Sequence, residues 1–312
     1  MKLIRGLCNL QEHHRGCVLT IGNFDGVHRG HQAIVSWLIK EGHKRNLPVI
    51  VMLFEPHPLE LFSGDQAPAR LTCLREKLQY LEQVGVDIVL CIRFNVHFAQ
   101  RSASNFIFEI LVKKLNVKLL AVGDDFRFGA GRQGDFLLLQ KAGFEYGFDI
   151  AKTKTFCKDG NRISSTSVRE ALANDDLVLA QELLGHPFSI SGKVVHGDSL
   201  GRQIGFPTAN ISLCRLVTPV KGVFAVEVRG IGQKSIPGVA NIGLRPTVNG
   251  QSSQLEVHLL DTCTNLYNFH IQVVLKRKIR NEQRFSSLED LKDQIVKDVV
   301  VAKKIFLKNS LI

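Results

Sequence analysis

The apolar residues of this 312-residue chain change their spacing once, near residue 185, and this change constrains the fold more than any other feature. Up to that point short apolar runs alternate with amphipathic helical stretches, beginning with Cys17–Gly22 (CVLTIG) and Val49–Phe54 (VIVMLF). Continuous apolar runs joined by helices are typical of strands buried on both faces of a parallel sheet. We therefore predict a doubly wound α/β domain over residues 1–185.

The remaining elements of this half follow from the same two patterns. Further strands are predicted at Val86–Ile92, Val117–Val122 and Phe148–Thr155, and helices at Gly30–Lys44, Thr72–Val84, Ser104–Leu115 and Asp135–Tyr146, with two short helices around Ser167–Leu184. The regular alternation of strands with helices favours an open parallel sheet.

The second half begins after Gly185–Phe188 (GHPF), where a glycine that ends a helix precedes a proline that cannot continue it. From Ile190 onward short alternating runs are separated by Gly-rich turns, which is typical of a small antiparallel barrel or sandwich; we predict a β-barrel. The chain closes with a helix from Leu288 to about Leu307, whose apolar stripe we expect to pack on the barrel. The predicted domains are residues 1–185 and 186–312.

The composition narrows the class of partner and the compartment. A formal net charge of +11 favours an anionic partner, which is either nucleic acid or a phosphorylated small molecule. No dense Lys/Arg tract occurs, so we expect small-molecule substrates and no nucleic acid. A weak or transient homo-oligomer is left open. The seven cysteines are scattered and never spaced as CxxC, and no run reaches the roughly 20 apolar residues of a membrane span. These features predict a protein of the reducing cytoplasm, without a signal peptide or membrane segment.

The segment Gly22–His31 (GNFDGVHRGH) places three glycines and two histidines at the start of a predicted helix. Glycines let the backbone approach a ligand, and the free N–H groups of a helix start attract an anion. His28 and His31 are three residues apart, so they lie on one side of the helix and can donate hydrogen bonds to phosphate oxygens. A metal site and a simple helix cap are the alternatives; metal is disfavoured because no third ligand is evident.

A second candidate phosphate-binding segment is Ile163–Arg169 (ISSTSVR). Ser164, Ser165 and Thr166 offer hydroxyl groups at a helix start, and Arg169 lies three residues beyond Thr166 on the same face. Such a cluster can bind a polyphosphate. In isolation, an ordinary capped helix is the simpler interpretation of this segment.

Two candidate sites lie on strands of the second half. Thr208 and Asn210, within Pro207–Asn210 (PTAN), are two residues apart, so an extended backbone points both side chains to one face. Two neutral oxygen ligands can complete the shell of a Mg²⁺ ion that phosphates and water already bind; a plain turn is the alternative. In Gln254–Leu260 (QLEVHLL) the alternation turns Glu256 away from the core, where a carboxylate can act as a general base or be merely solvated.

These motifs resemble those of known families. GNFDGVHRGH is similar to the GxFDGxHxGH signature of the nucleotidylyltransferase superfamily, a Rossmann-like fold, in its bacterial FAD synthetase branch. Phe54–Pro58 (FEPHP), Gly123–Gly129 (GDDFRFG) and ISSTSVR resemble further motifs of that branch, in the same order. In the second half GRQIGFPTANI, PGVANIGLRPTV, LEVHLLD and IRNEQRF resemble the riboflavin kinase family. The whole chain thus resembles the bacterial bifunctional riboflavin kinase/FAD synthetases.

The resemblance implies two ATP-dependent reactions, in which riboflavin is phosphorylated to FMN with the help of Mg²⁺ and FMN is then adenylylated to FAD with release of pyrophosphate. It implies catalytic roles for His28, His31, Arg169 and Glu256, and metal binding by Thr208 and Asn210. It implies ligand binding by Gly22, Asn23, Phe24, Asp25, Gly26, Gly30, Asp125, Phe126, Ser164, Ser165, Thr166, Gly197, Arg202, Thr208, Asn210 and Arg280.

The resemblance also implies a role for each group. His28 and His31 would stabilise the charge on the reacting phosphates, and Arg169 with the ISSTSVR hydroxyls would hold the departing pyrophosphate. Asp125 and Phe126 would face the flavin, and Glu256 would take the proton from the 5′ hydroxyl of riboflavin. The chain departs from the riboflavin kinase pattern at Phe224, where Tyr is usual, and at Asn268, where Gly is usual, which puts loop geometry in question more than activity.

Two rival functions remain open at this point. The histidine motif is also similar to that of class I aminoacyl-tRNA synthetases, so the chain could be an adenylating enzyme that acts on RNA, with the barrel as an RNA-binding module. A non-catalytic flavin or nucleotide binder would keep the glycines but would not need His28, His31, Arg169 and Glu256 together.

Overall fold

The computed structural model describes residues 1–123, 125–153, 156–158, 161–196, 201, 204–213, 215, 217–247, 250–261 and 266–309. The chain divides into two compact units, one formed by Met1–Pro68 with Leu74–Ser165 and the other by Ala69–Cys73 with Thr166–Ile312. Each unit has its own sheet.

The first unit consists of alternating strands and helices. Its strands are β1 (Lys2–Arg5), β2 (Val18–Ile21), β3 (Val49–Glu55), β4 (Ile88–Arg93), β5 (Leu119–Gly123), β6 (Asp149–Thr153), β7 (Cys157–Lys158) and β8 (Asn161–Arg162). Its helices are α1 (Arg29–Arg45), α2 (Pro58–Ser63), α3 (Leu74–Val84), α4 (Val96–Ala99), α5 (Ala103–Asn105), a π-helix (Phe106–Lys114) and α6 (Phe136–Tyr146), with 3₁₀ turns at Leu7–Asn9, Glu12–His14, Gly64–Gln66 and Ala130–Arg132.

Strands β1 to β6 form one parallel sheet in the order β1-β4-β3-β2-β5-β6, which confirms the predicted doubly wound class. Successive residues of a strand point to opposite faces, and the cores reflect this. Leu19 and Ile50 pack with the π-helix and α6 on one face, whereas Val18 and Val49 pack with α1 on the other. Both faces are covered, so the strands read as continuous apolar runs.

Two local features differ from the prediction. Strand β1 was not predicted, so the segment GNFDGVHRGH follows the second strand rather than the first. The predicted helix Ser104–Leu115 begins with the short α5 and continues as the π-helix. The apolar spacing of residues 104–115 is compatible with either helix type, and the sequence therefore predicts a helix without specifying its hydrogen bonding.

The second unit is a barrel with flanking helices. Its elements are α7 (Ser165–Ala173), α8 (Leu177–Leu184), β9 (Ser189–Val195), β10 (Ala209–Ser212), β11 (Gly222–Arg229), β12 (Ile236–Thr247), β13 (Gly250–Leu259), β14 (His270–Arg280) and α9 (Leu288–Asn309). Strands β9 to β14 close in the order β10-β13-β12-β11-β14-β9, and every described pairing is antiparallel, which confirms the predicted barrel.

Helix α9 packs on the outer wall of the barrel, as its apolar stripe predicts. Ala302 is fully buried, and Val299 and Phe306 pack against Val223 and Val239 of the barrel wall. The lysine-rich side of the helix faces outward. None of the helices within the described ranges is long and apolar enough to cross a membrane.

The short segment Ala69–Cys73 belongs to the second unit because two arginines of that unit hold its backbone. Arg215 Nη1 donates hydrogen bonds to the carbonyl oxygens of Arg70 and Leu71, both at 3.2 Å. Arg169 Nε donates to the carbonyl oxygen of Ala69 at 2.6 Å. Helices α7 and α8 thus belong to the same compact unit as the barrel. The domain boundary near residue 185 is the one predicted from the sequence.

Candidate active sites

The loop GNFDGVHRGH leaves the sheet at the point where the strand order reverses. Strand β2 pairs with β3 on one side and with β5 on the other, and the chain continues from β2 to β3. Ligands of open α/β sheets bind in the crevice at such a switch point, beyond the carboxyl ends of the strands. The loop that follows β5, which contains Asp125 and Phe126, leaves the same edge of the sheet.

The backbone of this loop is strained. Phe24 and Val27 have φ values of 49° and 41°, in the left-handed region that side chains with a Cβ rarely adopt, and Gly26 between them has φ 83°. Both non-glycine side chains are buried, so packing holds the conformation in place. Strain of this kind concentrates at ligand-binding loops.

The two histidines of the loop stack on each other at the start of α1. His28 is the N-cap, its Nδ1 accepts a hydrogen bond from the backbone N–H of His31 at 3.4 Å, and the ring centroids lie 3.7 Å apart. Gly30 makes this possible, because a Cβ at that position would lie 3.1 Å from His28 Nδ1 and 3.4 Å from the carbonyl oxygen of Ile163. The structure thus brings both predicted histidines together with Gly30.

The environment of His31 favours its neutral form. Burial, and next the neighbouring His28 and Lys77, hold the pKa of the His31 imidazole well below its ordinary value of 6.5. Its Nδ1 atom is buried and has no hydrogen-bond partner within the described part of the chain. A neutral imidazole carries one N–H, so His31 can donate a hydrogen bond to an anion without carrying a positive charge.

The second candidate phosphate-binding segment is joined to the first by a side-chain hydrogen bond. Ser165 Oγ donates a hydrogen bond to the carbonyl oxygen of Asp25 at 2.9 Å, across 140 residues of sequence. Ser164 and Ser165 are half-buried, Thr166 is exposed, and Arg169 is half-buried with its Nε bonded to the Ala69 carbonyl described above. An ordinary helix cap does not explain this hydrogen bond between Ser165 and the loop that contains Asp25.

The predicted flavin-side residues begin a chain of aromatic rings that sequence reasoning missed. Phe126 stacks parallel to Phe128, with ring centroids 5.6 Å apart, and Asp125 forms an ion pair with Arg162 at 2.9 Å. Contacts between ring centroids of 5.4 to 6.4 Å continue from Phe128 through Phe106, Phe98, Phe94 and Phe54. Phe54 lies near the carboxyl end of β3 and Phe94 directly follows β4. This part of the ring chain is therefore at the carboxyl ends of the parallel strands, where open α/β sheets in general bind ligands.

The second candidate site is a cavity of about 520 Å³ between the outer barrel wall and α9. It brings together Thr208, Asn210, Glu256 and Arg280 from the predicted set. Leu255 and Val257 are buried, so Glu256 projects from the opposite face of β13, as the alternation predicts. Gly197 and Arg202 lie outside the described residues.

Other cavity residues were not predicted from the sequence. Asn210 of β10 and Asn241 of β12 both stand directly opposite Glu256 in the strand register. Gln254 Nε2 donates hydrogen bonds to Asn210 Oδ1 at 2.8 Å and to Glu256 Oε1 at 2.7 Å. His258 Nδ1 lies 2.9 Å from the carbonyl oxygen of Pro207 and so fixes the start of the PTAN segment. The period-2 pattern of β13 predicts that His258 projects outward together with Glu256, and the same pattern places Gln254 on that face.

Two family models match the chain: FAD synthetase over residues 10–167 and riboflavin kinase over residues 184–306. The bifunctional riboflavin kinase/FMN adenylyltransferase of Escherichia coli (strain K12) is 69% identical over 307 residues, which are 98% of each chain. The protein of the same name from Haemophilus influenzae is 53% identical over 306 residues, covering 98% of this chain and 99% of its own.

This chain belongs to the bifunctional riboflavin kinase/FMN adenylyltransferase family. A crystal structure described as a macrolide-efflux protein from Streptococcus pneumoniae matches 97% of this chain and 99% of its own, with 28% identity and a TM-score of 0.80. That description concerns the other protein, and the similarity adds support for the fold. The family models and these curated relatives concern flavin enzymes, so the RNA-adenylating alternative is unsupported.

The two departures from the riboflavin kinase pattern have simple structural accounts. Phe224 is fully buried, with Lys278 Nζ 5.9 Å from its ring centroid, so its packing does not require a hydroxyl. Asn268 has φ 69°, a left-handed conformation that Gly adopts freely and Asn tolerates. The turn is therefore compatible with either residue.

Arg280 lines the cavity but is held by an ion pair within the protein. Its Nε and Nη2 donate to the carboxylate of Asp298 at 2.8 to 3.0 Å, and its guanidinium lies 5.7 Å from the centroid of Phe285. Asp298 is buried and also accepts a hydrogen bond from Gln294. Arg280 therefore joins β14 to α9 at the cavity wall, in addition to the ligand contact that the family resemblance implies.

Proposed function

We propose that this enzyme makes FAD from riboflavin in two steps at two separate sites. The barrel transfers the γ-phosphoryl group of ATP to riboflavin, giving FMN and ADP, and the parallel-sheet unit transfers the adenylyl group of a second ATP to FMN, giving FAD and pyrophosphate. The observation that carries the proposal is that each unit holds its own polar constellation, the stacked pair His28–His31 at a helix start and the Asn210–Gln254–Glu256 cluster in a cavity.

In the adenylyl transfer an oxygen of the FMN phosphate attacks the α-phosphorus of ATP, and the bond to pyrophosphate breaks. The protein contributes positioning and charge stabilisation. The helix start of α1 and the N–H groups of His28 and His31 donate to the phosphate oxygens, whose charge develops in a partly buried site. Thr166 and Arg169, which follow Ser165 on α7, are assigned to the departing pyrophosphate by family resemblance.

The aromatic residues near Phe126 offer a binding surface for the flavin ring of FMN in the adenylyl transfer. Phe126 is half-buried and stacks on the buried Phe128, and flat aromatic ligands bind the accessible face of such a ring by stacking. We assign the isoalloxazine ring of FMN to this edge of the sheet, with Asp125 nearby.

In the phosphorylation Glu256 accepts the proton of the riboflavin 5′ hydroxyl as its oxygen attacks the γ-phosphorus, and the bond to ADP breaks. A half-buried carboxylate at the wall of a cavity is suited to this role as a general base. Thr208 and Asn210 lie at the same wall, where the nucleotide phosphates would be held.

The donor set of this wall fits Mg²⁺. Thr208 offers a hydroxyl oxygen and Asn210 an amide oxygen, and Mg²⁺ takes oxygen ligands while keeping positions for water and substrate phosphates. When bound, the ion neutralises charge on the transferring phosphate. We assign the functional limits of the two domains to residues 1–185 and 186–312, supported by the end of α8 at Leu184 and by the riboflavin kinase match from residue 184.

Position-labelled ATP tests the proposal. Purified protein is incubated with riboflavin, Mg²⁺ and ATP that carries ³²P either at the γ or at the α position, and the flavins are separated. The two-step scheme predicts that γ label enters FMN and then FAD, while α label enters FAD alone. Label from the α position in FMN, or no labelled flavin at all, contradicts it.

A further inference from the structure

Gln254 lies between the two side chains of the barrel site on which the phosphorylation depends. Its Nε2 atom is 2.8 Å from Asn210 Oδ1 and 2.7 Å from Glu256 Oε1. An amide NH₂ group has two N–H donors, so both hydrogen bonds form at once with one donor each. Gln254 is half-buried and lines the same cavity as both partners.

The strand geometry holds this arrangement in place. Asn210 and Glu256 are direct partners in the antiparallel pairing of β10 with β13, so their side chains share one face. Gln254 precedes Glu256 by two residues on β13 and therefore projects from the same face. The three side chains therefore share one face of the barrel at the cavity wall.

Elimination fixes the atoms that face each other. An ionised carboxylate only accepts hydrogen bonds, so the Gln254 atom that faces Glu256 is its amide nitrogen. The same nitrogen contacts Asn210, whose facing atom must then be the acceptor Oδ1 and not the donor Nδ2. Gln254 thus selects the orientation of the Asn210 amide.

This orientation decides whether Asn210 can bind a cation. A carbonyl oxygen has two lone pairs, and the bond from Gln254 occupies one of them, leaving the other for a metal ion. A flipped amide would present N–H groups, which repel a cation. Partners of this kind orient the ligands of metal sites in general, and their loss typically costs about 10- to 100-fold in metal affinity or activity.

We infer that Gln254 is a positioning residue for riboflavin phosphorylation, which sets the Asn210 oxygen toward Mg²⁺ and holds the Glu256 carboxylate toward the attacking hydroxyl. The inference rests on the function proposed above for the barrel site. Gln254 itself touches neither the metal nor the reacting atoms, so its contribution is carried by Asn210 and Glu256.

The test compares two matched substitutions in the full-length protein. Gln254→Met removes both donors while keeping the side-chain length. Gln272→Met makes the same change on β14 of the same barrel, where Gln272 Nε2 donates to Ser189 Oγ at 3.0 Å, away from the cavity. FMN formation is measured against Mg²⁺, ATP and riboflavin, and conversion of FMN to FAD by the same preparations reports on the other site. The Mg²⁺ dependence of ADP binding without riboflavin, measured by calorimetry, is a readout that does not depend on turnover, and it should weaken in Gln254→Met and stay unchanged in Gln272→Met.

We expect Gln254→Met to lower kcat of phosphorylation by about 10- to 100-fold and to raise the Mg²⁺ concentration for half-maximal rate, with KM for riboflavin within about twofold. Gln272→Met should keep kcat and the Mg²⁺ concentration for half-maximal rate within about twofold of the wild-type values. In a variant with Asn210→Ala, adding Gln254→Met no longer changes the Mg²⁺ requirement, because the group that it orients is gone. If Gln254→Met and Gln272→Met lowered kcat and raised the riboflavin KM to the same extent, the role of Gln254 would be a general structural one, and the inference would be overturned.

A second variant protects the test against misfolding. Gln254→Glu keeps the shape but replaces the donor by an acceptor beside Glu256, and we expect at least the loss seen with Gln254→Met. If wild-type protein phosphorylates riboflavin and either Gln254 variant does so at the wild-type rate, the inference about Gln254 is overturned while the proposed function of the barrel stands. If wild-type protein itself forms no FMN, the proposed function of the barrel fails and the inference fails with it.

Discussion

The imidazole rings of His28 and His31 stack with centroids 3.7 Å apart and an interplanar angle of 21° at the first turn of α1. Two protonated rings at this distance would repel each other at the helix start, which already carries a partial positive charge. The fold therefore favours a neutral His31 at this helix start, since burial already holds the pKa of its imidazole well below the ordinary value.

The first prediction concerns the titration of His31. Its pKa lies well below 6.5 through burial, and next through His28 and Lys77, so the unfolded chain binds a proton in the pH range where the folded chain does not. Stability contributed by neutral His31 is thus complete above pH about 6.5 and is lost as the pH falls below it. Histidine NMR on selectively labelled protein should show that the His31 imidazole is still neutral at pH values just below 6.5.

A charge substitution tests the contribution of Lys77 to the lowered pKa of His31. Lys77→Met removes a buried positive charge near His31 and should raise the His31 pKa, whereas Leu78→Met on the same helix should leave it unchanged. An unchanged pKa in Lys77→Met would show that the lysine charge does not act on His31.

The second prediction concerns Gly30. An added Cβ would lie 3.1 and 3.2 Å from His28 Nδ1 and Cε1, so Gly30→Ala should push the His28 ring out of its stack. We expect the FMN to FAD rate to fall by about 10- to 100-fold, as small misplacements of catalytic groups cause, while riboflavin phosphorylation stays within about twofold. Gly232→Ala, where a Cβ meets no atom within 4 Å, is the control, and equal losses in the two variants would contradict the account.

The third prediction concerns the ion pair between Arg280 and Asp298. Asp298→Ala leaves the largely buried Arg280 without its carboxylate, which should destabilise the protein by about 3 kcal/mol. Asp261→Ala, which breaks the exposed pair with Lys303, should cost under about 1 kcal/mol. Urea unfolding followed by circular dichroism measures both, and a similar small effect of the two substitutions would refute the proposed role of the buried pair.

Local patterns predicted the fold well because each element carried its own signal. The apolar runs of β2 to β6 specify strands buried on both faces, and the stripe of α9 specifies a helix on a core. Strand β1 escaped prediction because its four residues, KLIR, begin and end with exposed charged residues at the edge of the sheet. The π-helix escaped because its apolar spacing also fits an α-helix.

The sequence predicted the site residues that lie together within one motif, but it did not predict the contacts between distant segments. The Ser165–Asp25 bond joins a loop to a helix start 140 residues away, and the Gln254–Asn210 bond, which spans 44 residues, depends on the pairing of β10 with β13. No local pattern reveals either contact. The cytoplasmic location, the oligomeric state, the absence of a nucleic-acid partner and the use of Mg²⁺ stay predictions from the sequence.

The central claim is that two sites each carry one step, and two variants assayed for both steps test it most directly. His28→Ala should lower conversion of FMN to FAD by about 100-fold and leave phosphorylation of riboflavin within about twofold, because only the helix-start site loses a donor. Glu256→Gln should do the reverse, because only the barrel site loses its base. If either variant, with wild-type thermal stability, lost both reactions together, the division of labour between the two sites would be contradicted.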